Sequence, residues 1–149
     1  MLALVDGEPR AGAKVAAACT YFGLSDLVLH SVQSTFTRTV LIDLLGAPVE
    51  RAQDRYREAS PVTHVDAGDS PVQICQGGKD TLVPPVQATL LHEALTAKEV
   101  PTELVLLEDQ GHGFLSKMRR DAKVADCFLR SVAWLRRWLV DGDTLEGIQ

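Results

Sequence analysis

At 149 residues the chain suits one domain and is long enough to bury a core. An apolar share of 46%, a charged share of 23% and a net charge of −5 offer nothing to attract nucleic acid or an anionic membrane surface. No apolar run approaches the roughly 20 residues of a membrane span, so neither nucleic acid nor membrane is expected as a partner.

The opening Met1-Leu2-Ala3-Leu4-Val5 lacks the basic leader of a signal peptide and reads as the last turns of a helix. A polar turn, Asp6 to Arg10, leads to Lys14 to Thr20, which reads as a fully buried strand despite its alanines. Tyr21-Phe22-Gly23 ends it, and Ser25-Asp26 supply the cap of a short helix over Leu27 to Val32. Residues 34–60 break the alternation. Val40-Leu41-Ile42 and Leu44-Leu45 form an apolar helix stopped by Gly46 and Pro48, and a more polar helix follows from Val49 to Glu58. The pair is expected to be a small cap inserted over the strand ends.

The next stretch is the most regular. Val72-Gln73-Ile74-Cys75 reads as a strand, and Gly77-Gly78-Lys79-Asp80 as a loop. Pro84-Pro85 suit a helix's first turn, with Val86, Leu90, Leu91, Ala94 and Leu95 as its apolar face. Thr102 to Leu107 is a second strand of this kind, closed by Gly111-His112-Gly113. A last helix spans Asp121 to Val140, with Val124, Phe128, Val132, Leu135 and Leu139 as its core stripe and Trp134 and Trp138 flanking it. Residues 143–149 are expected to fray. The outline is an α/β fold of about three parallel strands with flanking helices in one domain over 1–149.

Asp80 and His112 fall in successive strand-end loops, one helix and one strand apart. A carboxylate there can hold one imidazole nitrogen and fix its tautomer, leaving the other as a general base. The same residues also suit an ordinary surface turn and a flexible loop.

Gln76-Gly77-Gly78-Lys79-Asp80, Val83-Pro84, Glu93-Ala94-Leu95 and Gly111-His112-Gly113-Phe114 resemble the C-terminal part of α/β-hydrolases. The nearest groups are the carboxylesterase and hormone-sensitive-lipase-like esterases and the prolyl-oligopeptidase-type serine peptidases. Tyr21 to Leu27 resembles the segment after the sixth strand in those enzymes, and Ser60-Pro61 the return from their cap. The resemblance runs from about Lys14 to Leu139. It implies that Asp80 is the triad acid and His112 the triad base. Gln76 stands where many members have histidine. The larger departure is the nucleophile, which in this fold sits in G-x-S-x-G between strand and helix, and no such motif occurs here. Gly23-Leu24-Ser25-Asp26-Leu27 begins like one but ends in leucine, so Ser25 is read as a helix cap. The nucleophile turn and oxyanion donors are expected in the half of the fold preceding Met1.

No cofactor and no metal are expected. His30, His64 and His92 have no ligand-like spacing, and Cys19, Cys75 and Cys127 read as buried thiols of a reducing, cytoplasmic protein. Asp109 is a weaker candidate to orient His112, Asp26 is read chiefly as a cap, and Thr35, Phe36 and Tyr56 are candidates to line a pocket.

Two functions follow. One is a truncated serine-hydrolase-like domain that keeps the Asp-His part of a triad and is inactive alone. The other is a non-catalytic binding or assembly module. For either, the strand near Val15 to Thr20 is an exposed apolar edge. It calls for a homodimer or a complementing N-terminal half. A flavodoxin-like nucleotide binder is a third reading, but no glycine-rich phosphate loop follows a strand.

Overall fold

Val72-Gln73-Ile74-Cys75 becomes the middle strand of a three-stranded parallel sheet in the computed structural model, which describes residues 15–33 and 35–140 and, within these, not the side chains of Thr35 and Phe36. The strands are β1 (Ala18–Tyr21), β2 (Val72–Gly77) and β3 (Thr102–Leu107), in the order β1-β2-β3. Register pairs Ala18 with Val72 and Val72 with Thr102. Between β1 and β2 lie α1 (Leu27–Gln33), α2 (Thr35–Leu45), α3 (Val49–Glu58) and a 3-10 turn over Pro61–His64. Helix α4 (Val86–Ala97) joins β2 to β3. A second 3-10 turn (Phe114–Lys117) and α5 (Ala122–Leu139) follow.

Strand β2 is buried along its whole length because partners cover both edges and helices cover both faces. Its alternation assigns the layers. Val72 and Ile74 pack with Ala88, Leu91, Leu95 and Val100 on the α4 side, while Cys75 packs with Val105, Phe114, Val124 and Cys127 on the α5 side. Burying Leu91 and Leu95 contributes about 1.5–3 kcal/mol each. A third cluster, Leu27, Leu41, Val49 and Tyr56, holds α1, α2 and α3 together.

Four expectations need correction. Strand β1 begins at Ala18 and is half-buried rather than fully buried, because among the described residues it pairs only with β2. Lys14, the opening helix and the tail at 143–149 lie outside the described residues. On α4 the buried face is Gln87, Ala88, Leu91 and Leu95, and Val86 is exposed. On α5 the sheet takes Val124, Cys127, Ser131, Trp134 and Trp138, whereas Phe128, Val132 and Leu139 face outward. Both α5 stripes have three- and four-residue spacing, so periodicity cannot choose between them. Buried hydrogen bonds mark the face the sheet takes: Tyr21 donates to Ser131 Oγ, and Ser131 donates to Gln73 Oε1. Lastly, Ser25 does not cap α1. Asp26 does, accepting from Leu29 N–H at 2.9 Å, while Ser25 is buried and donates to the Gln87 carbonyl.

His30 of α1 has no exposed surface, and neither ring nitrogen has a partner among the described residues. Burial lowers its affinity for a proton, outweighing the opposing pull of the Asp80 carboxylate. The unfolded chain therefore binds a proton below its ordinary pKa of about 6.5 that the folded chain resists. Stability is full above that pH and is lost as pH falls. Urea titrations should show wild type losing stability relative to His30→Leu by up to about 1.4 kcal/mol per pH unit below pH ~6.5. Parallel pH profiles for the two proteins would contradict this.

Candidate active site

Two loops at the carboxyl ends of β2 and β3 meet. Gly78 N–H donates to the Leu107 carbonyl and Lys79 N–H to that of Gln110, each at 2.8 Å. This approach needs glycine. A Cβ on Gly77 would stand 2.6 Å from Gln110 O and 2.8 Å from Gly111 O, and one on Gly78 would stand 2.7 Å from Glu108 Cα. Gly113 turns the second loop in the left-handed region, at φ +69°.

The contact brings together Asp80 and His112. His112 Nδ1 lies 2.8 Å from Asp80 Oδ2. An ionised carboxylate only accepts, so this contact with Asp80 favours a proton on Nδ1, and in the neutral ring that leaves the lone pair on Nε2. The Asp80 side chain is fully buried, while that of His112 is 38% exposed, so one end of the ring is anchored and the other reaches solvent. Leu82 N–H and Val83 N–H donate to Asp80 Oδ1 at 2.9 and 2.8 Å, and Gln76 Nε2 donates to Oδ2 at 3.1 Å. Four donors thus converge on one buried carboxylate.

The imidazole also rests against Phe22, ring centroids 5.0 Å apart, and Phe22 meets Phe114 edge-on at 4.7 Å. Phe22 has φ +51°, a left-handed conformation that a bulky residue rarely adopts. That strain, just past the end of β1, carries the ring to His112.

The remaining candidates lie elsewhere. Asp109 does not orient His112. It pairs with Lys123 at 2.9 Å, and that ammonium holds its carboxyl below the usual range. Tyr56 is fully buried and donates to the Ala47 carbonyl, so it lines no open pocket, and the side chains of Thr35 and Phe36 are outside the described set. His64 contacts the Glu58 carbonyl and His92 the Thr102 hydroxyl. Among the described residues no group of three or more His, Cys, Asp or Glu side chains is placed to hold a metal, and no serine, threonine or cysteine hydrogen-bonds His112. A groove of about 630 Å³ runs between β3 and the Ala122–Arg130 part of α5, away from the Asp80–His112 contact.

Sequence reasoning did not assign the supporting shell. Gln76 stood out only as a departure from a resemblance. The Leu82 and Val83 amides and the Phe22 ring carry no residue-type signal, since their positions depend on how the loops close.

The BD-FAE family profile matches residues 4–95. The chain is 39% identical over 57 residues to dipeptidyl aminopeptidase BIII of Pseudoxanthomonas mexicana, covering 38% of this chain and 8% of that protein. It is 31% identical over 100 residues to dipeptidyl-peptidase 5 of Porphyromonas endodontalis, covering 65% of this chain and 14% of that one. Its structure is similar to that of a puromycin-hydrolyzing peptidase of Mycobacterium tuberculosis, with a TM-score of 0.75 and 32% identity over 83% of this chain and 18% of the other. The chain therefore spans less than a fifth of each of these three relatives. It belongs to the BD-FAE family, and its parallel sheet is part of an α/β-hydrolase fold.

Proposed function

We propose that Asp80 and His112 are the acid and base of a serine-hydrolase triad, acting on an ester or peptide carbonyl. The observation that carries this reading is the buried, four-fold hydrogen-bonded Asp80 carboxylate bound to Nδ1 of a half-exposed imidazole. In such a site Nε2 takes the serine proton as the hydroxyl attacks and returns it to the leaving group, while Asp80 stabilises the imidazolium. The serine and the oxyanion donors come from a segment that supplies the strands beyond β1. The chain purified alone is then expected to leave p-nitrophenyl acetate hydrolysis at background. Turnover by the isolated chain that disappears in His112→Ala would show a nucleophile within these residues and overturn this division of labour.

A second reading, an assembly module, is favoured by one surface. The α5 residues lining the groove beside β3 are Ala122, Lys123, Asp126, Cys127 and Arg130. At 100° per residue, Phe128, Val132, Leu135 and Leu139 fall on the opposite flank, toward β1. Phe128, Val132 and Leu139 are 40%, 48% and 60% exposed, beside a strand that has one edge unpaired among the described residues. A twofold dimer would cover both. Sedimentation of the chain as a stable monomer at micromolar concentration would count against it.

A further inference from the structure

Gln76 is fully buried at the end of β2, and its amide is oriented without ambiguity. Nε2 lies 2.9 Å from the Val83 carbonyl, 3.1 Å from Asp80 Oδ2 and 3.4 Å from the Gly77 carbonyl. All three are acceptors, so flipping the amide would set oxygen against oxygen. The correct orientation leaves Gln76 Oε1 buried with no partner among the described residues. A buried acceptor without a partner is costly, and it persists only where the surroundings over-determine it.

We propose that Gln76 is a positioning residue, one that acts on His112 through Asp80. Its Nε2, tethered by the Val83 carbonyl, fixes one side of Oδ2 and leaves His112 Nδ1–H the remaining direction of approach. The Leu82 and Val83 amides hold Oδ1, but two donors on one oxygen still allow the carboxylate to rock about the Oδ1 side. The Gln76 amide stops that motion. It does so with a neutral donor, so the polarity of the contact does not change with pH. This inference rests on the reading of Asp80 and His112 as an acid–base pair, because what Gln76 controls is which ring nitrogen carries the proton.

The ¹⁵N chemical shifts of the His112 ring nitrogens in the full chain report that tautomer. Wild type is expected to show Nδ1–H as the dominant form. Gln76→Met keeps the length, removes the donor and should cut the Nδ1–H population at least two-fold. Gln76→His retains a donor N–H and should restore it. Should Gln76→Met fail to fold, Gln76→Asn, one methylene too short to reach Oδ2, gives the same readout. A folded Gln76→Met or Gln76→Asn with the wild-type tautomer overturns the role of Gln76. Asp80→Asn is the control for the underlying reading. An unchanged tautomer there would overturn the Asp80–His112 pairing itself, whatever the Gln76 variants show.

Discussion

In a complete hydrolase built by joining this chain to the nucleophile-bearing half of a relative, Asp80→Asn is expected to lower kcat by about 10⁴-fold with little change in the fold. Volume is conserved, so the cause is hydrogen-bond polarity. The Leu82 and Val83 amides both point at Oδ1, so the oxygen of the new amide must stay there and its NH₂ must take the Oδ2 position. That NH₂ meets His112 Nδ1, which sits 2.8 Å away, and can only donate to it. The proton then moves to Nε2, where a serine hydroxyl would need a lone pair. The same NH₂ also opposes the Gln76 amide, so some loss of stability accompanies the loss of rate. Steady-state kinetics on p-nitrophenyl acetate would check it. A loss below ten-fold would mean that Asp80 is not the orienting acid.

The second large effect is structural. Gly77→Ala is expected to destabilise the fold by about 1–3 kcal/mol, because the new methyl would meet Gln110 O at 2.6 Å and Gly111 O at 2.8 Å. Those atoms are backbone, so the loops themselves must separate, stretching the bond from Lys79 N–H to Gln110 O and drawing His112 away from Asp80. Gly113→Ala makes the comparison. Nothing among the described residues lies within 4 Å of its Cβ, so its cost is only that of a left-handed backbone, about 1–2 kcal/mol, and the loop contact survives. Thermal unfolding reads the difference at roughly 2–4 °C per kcal/mol. Gly77→Ala should also lose the Nδ1–H form of His112, whereas Gly113→Ala should keep it. A Gly77→Ala protein with wild-type Tm would contradict the close approach of the two loops.

Much of this arrangement is legible in the residues. Strands β2 and β3 and helix α4 are bounded by glycine and proline. Their limits therefore follow from local chemistry. One crossover places the Asp80 and His112 loops side by side. Other features depend on what packs where. The two apolar stripes of α5 are equivalent on a helical wheel, and only the polar network of Tyr21, Gln73 and Ser131 marks the buried one. The burial of β1 depends on what lies across its second edge, so alanine and valine there fix neither its limits nor its cover. The donors around Asp80 are a backbone turn and one glutamine amide. Turn geometry and amide orientation arise only once the Gly77–Asp80 loop is seated on the Gln110 carbonyl.

Active-site labelling with a fluorophosphonate tests the division of labour most directly. The probe reacts covalently with a serine only when a neighbouring base activates it. The isolated chain is expected to stay unlabelled. When it is joined to or mixed with a nucleophile-bearing half, mass spectrometry should find the adduct on a serine outside these 149 residues. Labelling should be lost in His112→Ala. An adduct on one of this chain's own serines, or labelling that survives His112→Ala, would contradict the account.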